Sequence, residues 1–554
     1  MRSARWWIWG VAACLGCRAE VSEPELRRPL ESMPRGACVL LVASDLANTW
    51  ERAEAHEALT ILKRSLPEEL VAPPELVALQ ERLAAFETRT GTSLRQDLWL
   101  NLMRQRLAVG VYPEDGASLG DILFVAELDD GPRFRSALEA VLRESAPDWR
   151  VEETRFDELP AWRVRDGERL DVLLVQEGEF LALSTADALV HGALEIRRGA
   201  SEASVLREPA CATALEALGR QSVAIVSLDA GAAQWNAKGL TWDSDGVHFK
   251  RLVPMAEPAA SAAGATPPRR EEIMRSVPAG MTMVYYAKPA EMQQLRTLFD
   301  DFQCGSMHSS SRRAAMHFAA ASSPATVQSA AAPSAKPFGL DRLPFALGQD
   351  VLPWAGDEMV LVLADLKPTA LVPLPNAALV LEAADGEAAV RSLGELEQRL
   401  EGFALMGGQG FEAVHYGGKT YRSLASPVLV ALAPSYLVDG DLVVIATTRE
   451  LLQQIIDTRR AGKGNLLRAP TFRPFTRFVP VGASVVVYAD QTKLHQALLQ
   501  VAHLPRLWGD EVDRAVEIME GLSVVFEHFP ASAAYIERTP EGLTLNGWMR
   551  EAPE

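Results

Sequence analysis

Residues 33–44 read MPRGACVLLVAS, a Pro/Gly turn followed by an apolar run. Proline presets its own φ and glycine permits a sharp bend, so the pattern predicts a turn that leads into a short buried strand. The same pattern recurs as VPAGMTMVYYAK at residues 277–288 and as VPVGASVVVYAD at residues 479–490. A looser copy at residues 218–222 precedes the apolar run 223–228. One strand-starting motif is therefore written several times in the chain.

Two longer segments align without gaps between the two halves of the chain. Residues 94–109 match residues 347–362, and residues 175–190 match residues 437–452. In the second pair an acidic-Gly-acidic turn leads to an apolar strand and then to a threonine that is predicted to cap a helix. Because the matches occur in the same order in both halves, the sequence predicts a duplicated unit.

The order of elements within each unit predicts the fold class. Hairpin signals outnumber long crossovers, which favours mixed or antiparallel sheet, and several stretches show apolar residues at helical spacing. These stretches are residues 72–88, 132–143, 387–400 and 449–459. We therefore expect an α+β fold of two tandem homologous units, each a mixed or antiparallel sheet with helices on one face.

The N-terminus resembles the signal sequence of a bacterial lipoprotein. Arg2 and Arg5 precede the short apolar stretch 6–13, and Cys14 and Cys17 each end a lipobox-like tetrapeptide. In that family the cysteine carries fatty acyl chains such as palmitate and becomes the mature N-terminus. The resemblance implies attachment at Cys17, with Cys14 as the alternative, and a membrane partner reached through this lipid. It also implies a bacterial cell envelope location, and we expect an outer-membrane lipoprotein facing the periplasm or the cell surface.

Composition shifts divide the rest of the chain. The predicted organisation is a signal sequence at 1–17, a tether at 18–33, a first α+β unit at 34–253, a Pro/Ala linker at 254–275, and a second α+β unit at 276–554 with a low-complexity insertion at 305–337.

Charge and cysteine content argue against several classes of protein. The formal net charge is −18, and a surface this acidic repels phosphate backbones, so no nucleic acid partner is expected. Of the five cysteines, Cys38, Cys211 and Cys304 lie beyond the leader, too far apart for a disulfide framework. Small buried side chains are the favoured interpretation. No cofactor is expected, and the oligomeric state is left open.

Each motif that could indicate a catalytic or metal site is better explained as a turn or as an ordinary surface or packed residue. Residues 413–420 resemble a phosphate-binding loop, but β-like sequence follows Gly417-Gly418, which predicts a hairpin turn and no nucleotide site. His495 and His503 are expected to be surface or half-buried residues. Cys304 and His308 lack the second ligand pair that a zinc site requires, so no metal site is predicted.

Two further sets of residues invite a functional interpretation: acidic and amide residues at equivalent places in the two units, and two tryptophans. Asp97 and Asp350, with Gln96 and Gln349, are interpreted as a helix or turn cap copied by the duplication rather than as paired catalytic carboxylates. Another hypothesis places Trp99 and Trp354 on a concave sheet face, where they would line a groove for a lipid or peptide ligand.

The strand starts and the stretches GQDVLPWAGDE and VDGDLVVIATT resemble an uncharacterised bacterial family of exported proteins, known only as a domain of unknown function. The resemblance covers most of residues 276–500 and, more weakly, 34–230. It implies an envelope location and supplies no catalytic residues. We therefore expect an envelope-anchored lipoprotein with a non-catalytic binding or scaffolding role, not an enzyme. The alternative is an exported hydrolase with an unrecognised active site.

Overall fold

The computed structural model describes the following parts of the chain: residues 27–44, 46, 81, 84–113, 120–144, 150–166, 170–219, 221–229, 234–243, 246–253, 270–288, 353–367, 374–402, 410–424, 433–480, 482–502, 523, 525–539 and 542–552. Several predictions fall outside these residues: the signal sequence with Cys14 and Cys17, the insertion 305–337, Gln349, Asp350, Cys304, His308 and His503. No helix in the described part is both long and apolar enough to span a membrane.

Contacts divide the chain into two compact units. The first unit consists of Met1–Ser261 with Arg538–Glu551, and the second of Ala262–Glu537 with Ala552–Glu554. A strand from the C-terminal end of the sequence therefore belongs to the first unit.

The first unit is built on antiparallel strands. They are β1 Val39–Ser44, β2 Arg106–Tyr112, β3 Asp121–Glu127, β4 Arg150–Phe156, β5 Leu159–Asp166, β6 Leu170–Glu177, β7 Phe180–Ser184, β8 Val223–Asp229, β9 Gln234–Asp243, β10 Gly246–Val253 and the C-terminal β20 Gly542–Arg550. Their pairings give the order β4-β5-β6-β7-β3-β2-β1-β8-β9-β10-β20.

The second unit repeats this arrangement. Its strands are β11 Met283–Ala287, β12 Ala355–Lys367, β13 Leu374–Ala383, β14 Phe411–Tyr416, β15 Lys419–Leu424, β16 Ser435–Asp439, β17 Leu442–Ala446, β18 Val485–Asp490 and β19 Ala531–Thr539. They follow the order β14-β15-β16-β17-β13-β12-β11-β18-β19. The same strand order in both units is what duplication of one ancestral module produces.

In the described part of the chain, six longer helices accompany the strands. They are α1 Gly131–Glu144, α2 Asp187–Arg197, α3 Pro209–Leu218, α4 Gly386–Gly402, α5 Arg449–Ala461 and α6 Gln491–Ala502. Shorter helical segments are Arg27–Glu31, Leu94–Leu100, Asn101–Met103, Ser201–Ala203, Val205–Arg207, Arg270–Met274, Leu466–Arg468 and Phe475–Phe478. Helices α1, α4 and α5 confirm the helices predicted from apolar spacing at residues 132–143, 387–400 and 449–459.

The predicted fold class, α+β with a mixed or antiparallel sheet and helices on one face, is wrong. All strand pairings among the described residues are antiparallel, and sheet dominates. In the first unit both faces of the sheet are buried: the neighbours Val42 and Ala43 of β1 lie in two different apolar clusters. Helices α2 and α3 contribute Val190 and Leu215 to one cluster, whereas α1 contributes Phe134 to the other. The near-continuous apolar run of β1 reflects burial on both faces.

The threonines predicted as helix caps have another role. Thr185 and Thr447 each accept a backbone hydrogen bond from the adjacent strand, from Ile122 N at 3.1 Å and from Ala377 N at 2.9 Å. The cap of α5 is the next residue, Thr448, whose hydroxyl accepts from a helical amide. The repeated threonine therefore fixes the start of the helix to the sheet.

Residues just before the first strand of each unit are folded. Arg27–Glu31 is helical, and Leu30 and Met33 are fully buried in the core of the first unit. Arg270–Met274 is likewise helical, and Met274 and Val277 are buried in the second unit. The described part of the stretch expected to be a tether is thus packed against the sheet.

Candidate functional site

Each unit contains a pocket at the same place in its fold. The pocket lies between the short helix before the first strand, the end of β3 or β13, and the turn that follows α2 or α5. The pocket of the first unit, here the first pocket, has a volume of about 530 Å³. That of the second unit, the second pocket, has a volume of about 570 Å³.

Strand register shows that the two pockets share a glutamate. Glu127 on β3 pairs with Phe180 at the start of β7, and Glu382 on β13 pairs with Leu442 at the start of β17. Both glutamates line their pockets. Because Phe180 and Leu442 are also equivalent in the sequence alignment, the acid occupies the same position in both units.

Two arginines and a serine are repeated in the same way. Arg197 and Arg459 lie in the last turns of α2 and α5. Arg207 and Arg468 each end a one-turn 3-10 helix, and all four arginines line the pockets. Ser32 and Ser276, both buried, follow the short helices that close the pockets. An acid on a strand and two arginines on helical segments are therefore common to both sites.

The pockets differ in the charge of the residue on the strand next to their shared glutamate. In the first unit Arg106 on β2 forms an ion pair with Glu127 at 2.9 Å. By strand register the equivalent position on β12 holds Glu358, since Leu107 and Met359 pair with equivalent residues of β1 and β11. The gapless sequence match is one residue out of step with this register and places Glu358 on Gln105. Glu358 is only 3% exposed and lines the second pocket. The second pocket thus has an additional carboxylate where the first unit has a cation.

The two pockets also differ in one polar residue. It lies in the segment after α2 or α5 that forms a bridge with the turn before the first strand of its unit. Ser204 bridges to Pro34, and its hydroxyl donates to Leu30 O at 3.0 Å. The equivalent bridge in the second unit joins Pro278 to Asn465. The Asn465 side chain is 3% exposed, and its Oδ1 is buried without a hydrogen-bond partner in the described part of the chain.

A family model matches the region of the chain that contains most residues of the second pocket. Residues 345–514 match the model of a family described as Protein of unknown function (DUF3352). The resemblance to an uncharacterised family is thereby confirmed. The matched segment contains Glu358, Glu382, Arg459, Asn465 and Arg468. Neither the curated proteins nor the solved structures compared with the chain gave a match.

The pocket residues were missed by sequence reasoning, although a signal was present. The gapless match of residues 175–190 with 437–452 extends by seven residues to place Arg197 on Arg459. Nothing in either sequence segment shows that this arginine faces the end of β3 or β13, because the pocket joins four segments distant in sequence.

The two tryptophans predicted to line a groove have different environments. Trp99 is 47% exposed, whereas Trp354 is 2% exposed. Other large apolar side chains that are exposed in the described residues are Ile122 and Val390. The groove for a lipid or peptide therefore stays a prediction, and the polar pockets are the better-defined sites.

The capping interpretation is confirmed for Asp97. Its Oδ2 accepts a hydrogen bond from Ser93 N at 2.9 Å, while the Ser93 hydroxyl accepts from Gln96 N at 3.2 Å. Its Oδ1 accepts from Arg133 Nε at 2.5 Å, which ties the helical segment to α1. Asp97 thus caps a helix and links two elements.

The segment that resembles a phosphate-binding loop is a hairpin turn, as predicted. Phe411–Tyr416 and Lys419–Leu424 pair antiparallel across Gly417-Gly418, so no helix follows the glycines. Asp243 and Gly246 form the closing pair of another hairpin. The backbone amides that a phosphate-binding loop would direct at its ligand are here part of a β-turn.

The described cysteines are free thiols with structural roles. Cys211 is fully buried, and burial raises its pKa to about 12. Burial also raises the pKa of Cys38, whose Sγ donates to Val111 O at 3.3 Å. A thiol with a raised pKa is a poor nucleophile at neutral pH, which supports the packing interpretation.

His495, expected at the surface or half-buried, is buried. It is 5% exposed and packs on the Phe526 ring at 5.0 Å, because α6 turns this side chain inward. Both ring nitrogens are buried without a hydrogen-bond partner among the described residues. Burial lowers the pKa of the imidazole, and the nearby Glu527 carboxylate opposes this only in part.

We expect acid to destabilise the protein through His495. Below about pH 6.5 the unfolded chain binds a proton that the folded imidazole resists, so stability falls by at most about 1.4 kcal/mol per pH unit. Urea unfolding at pH 7.5 and pH 5.5 should show a smaller acid loss for His495→Phe than for the wild type. An equal loss in both proteins would show that His495 does not titrate differently on folding.

Proposed function

We propose that the protein is a non-catalytic binding protein of the bacterial cell envelope that takes a small polar ligand in its repeated pocket. One observation carries the proposal: duplication preserved a glutamate and two arginines around a cavity at the same place in both units. Arg197 lies over the Phe180 ring and pairs with Glu177 at 3.7 Å, contacts that position its guanidinium beside the cavity.

The size and lining of the pockets fit a small polar molecule. Volumes of about 530 and 570 Å³ lie within the range of small-molecule sites, about 300–1,000 Å³. The first pocket is lined by three arginines and two glutamates. The second is lined by three arginines and four carboxylates. Charged groups of both signs favour hydrogen-bonding ligands over an acyl chain.

A thermal-shift panel on the full chain tests the binding role. The panel consists of inorganic phosphate, sugar phosphates, neutral sugars, free amino acids and dipeptides. At least one class should raise the Tm of the wild type, and the double variant Arg197→Met/Arg459→Met should lose the shift. Arg155→Met is the matched control, because Arg155 is 77% exposed and outside both pockets.

Two outcomes would contradict this role. The absence of any shift across the panel would remove the support for a small-molecule binding protein and favour a scaffold. Cleavage of a panel compound by the wild type would support the hydrolase alternative.

The envelope location in this proposal rests on the lipid anchor. We expect labelling with radioactive palmitate to be lost when Cys14 and Cys17 are both replaced by alanine. The single variants identify the attachment site, with Cys17→Ala expected to abolish labelling and Cys14→Ala to retain it. Labelling that persists in the double variant would refute the anchor and leave the pocket unaffected.

A further inference from the structure

We infer that the second pocket takes a zwitterionic ligand, an amino acid or short peptide with a free ammonium and a free carboxylate, and that the first pocket does not. The inference rests on the proposed function, because it names the ligand class for one of the two sites. It follows from the charge arrangement in the second pocket and from the buried amide oxygen of Asn465.

The carboxylates of the second pocket come from neighbouring strand ends. Glu358 lies on β12 and Glu382 on the adjacent β13. Asp441 directly precedes β17, which pairs with β13, and its carbonyl accepts from Ala383 N at 2.6 Å. All three residues line the pocket. The edge of the sheet therefore offers an acidic surface, which favours a ligand ammonium group.

The arginines of the second pocket come from different elements. Arg459 lies at the end of α5, Arg468 in the following 3-10 turn, and Arg275 just after the short helix Arg270–Met274. Three of the four carboxylates thus lie on the sheet side of the pocket, and the three arginines lie on its helical side together with Glu272. A guanidinium binds a carboxylate through two parallel hydrogen bonds, so this side suits the anionic end of the ligand.

Asn465 supplies an observation independent of charge. Asn465 lines the cavity, and its Oδ1 is buried without a hydrogen-bond partner in the described residues. A buried acceptor without a donor is unfavourable, and such groups in folded proteins are nearly always satisfied. A ligand ammonium or peptide N–H would provide the donor, whereas inorganic phosphate at neutral pH offers mainly acceptors.

The first pocket provides the internal contrast. Its Glu127 lies 2.9 Å from Arg106, a cation at the position of Glu358, and the Ser204 hydroxyl donates to Leu30 O. It therefore lacks the additional carboxylate and the unpartnered acceptor that would recognise an ammonium group. Both units therefore have the arginines that suit a ligand carboxylate, whereas only the second unit has the additional groups that suit a ligand ammonium.

Calorimetric titration of the full chain with alanylalanine tests the inference. We expect N-acetylation of the dipeptide, and separately amidation of its carboxylate, to weaken binding by about tenfold or more. Glu382→Gln should weaken binding of the free dipeptide similarly, whereas the control Glu387→Gln, at an exposed position of α4 outside the second pocket, should leave it unchanged. Glu127→Gln tests whether the first pocket takes part. Asn465→Ser, which introduces the residue of the first unit, should also weaken binding.

The outcomes separate this inference from the proposed function. Tm shifts caused only by phosphates or neutral sugars would overturn the zwitterion and leave the binding role standing. Dipeptide binding that responds to Glu127→Gln and not to Glu382→Gln would place the ligand in the wrong unit and overturn the assignment. The absence of any panel ligand would remove both proposals.

Discussion

Replacing Gly131 by alanine should lower the free energy of unfolding by about 1–3 kcal/mol, the usual cost of overpacking. The equivalent change Gly386→Ala should be close to neutral. Both glycines open the helix that follows β3 or β13, and each faces the glycine of a hairpin turn. A Cβ at residue 131 would lie 2.5 Å from Gly178 O, whereas a Cβ at residue 386 would lie 3.1 Å from Gly440 O.

The turn near Gly131 cannot easily give way. The side-chain amide of Gln176 donates to both Gly131 O and Gly178 O, each at 2.9 Å, and so holds the two backbones together. In the second unit Val438 replaces this glutamine and cannot donate such hydrogen bonds, and the turn would have to shift by only a few tenths of an ångström. The helix propensity of alanine over glycine, about 1 kcal/mol, then offsets the remaining strain.

Chemical unfolding of the two variants beside Gly394→Ala measures this difference. Gly394 lies within α4 with open space where a Cβ would be, so alanine there should stabilise by up to about 1 kcal/mol. Equal costs for Gly131→Ala and Gly386→Ala would contradict the proposed role of Gln176.

Local structure was largely predictable from the sequence because its causes are local. The Pro/Gly turns do precede β1, β11 and β18, and the glycine pair 417–418 does close a hairpin. Left-handed backbone at Gly178 and Gly440 explains why the acidic-Gly-acidic turn is present in both units. Turn chemistry and apolar spacing depend on a few neighbouring residues, and a single sequence contains them.

The arrangement of the layers was not predictable in the same way. The run Val39–Ala43 indicated burial, but which helix covers which face depends on contacts between α1, α2 and strands distant in sequence. The pairing of β20 with β10 is also non-local, because almost 300 residues separate the two strands. No pattern within either strand specifies its partner.

The candidate site was predictable from the sequence only in part. The arginine pair Arg197 and Arg459 follows from the sequence alignment once the duplication is accepted, whereas Arg207 and Arg468 become equivalent only in the structure, where each ends a 3-10 helix. The substitution of Arg106 by Glu358 between units acquires meaning only when β2 and β12 are placed beside Glu127 and Glu382. A change of charge sign is unremarkable in a linear sequence, whereas in a pocket it changes the class of ligand.

Alkaline pH should destabilise the protein through its buried tyrosines. Burial raises the pKa of Tyr436, Tyr488 and Tyr535 to about 12 and also raises the pKa of Tyr112 and Tyr285. Above about pH 10 an unfolded phenol loses its proton while the folded one retains it. The unfolded state then binds fewer protons, so the free energy of unfolding decreases as the pH rises.

Tyr488→Phe isolates the contribution of one buried phenol. Tyr488 is 1% exposed, its hydroxyl donates to Thr471 Oγ1 at 2.8 Å, and its ring packs on Phe472 and Phe475. Removing the hydroxyl should cost about 1 kcal/mol at pH 8, where the hydrogen bond is intact. At pH 11 the wild type should have lost about 1.4 kcal/mol through this residue, which the variant does not lose.

The stabilities of the two proteins are therefore expected to cross between pH 10 and pH 11, as measured by urea unfolding at each pH. Parallel curves would show that the Tyr488 phenol ionises equally in the folded and unfolded chains. A crossing would instead show that the folded Tyr488 phenol resists ionisation, as its burial in the aromatic cluster behind β18 predicts.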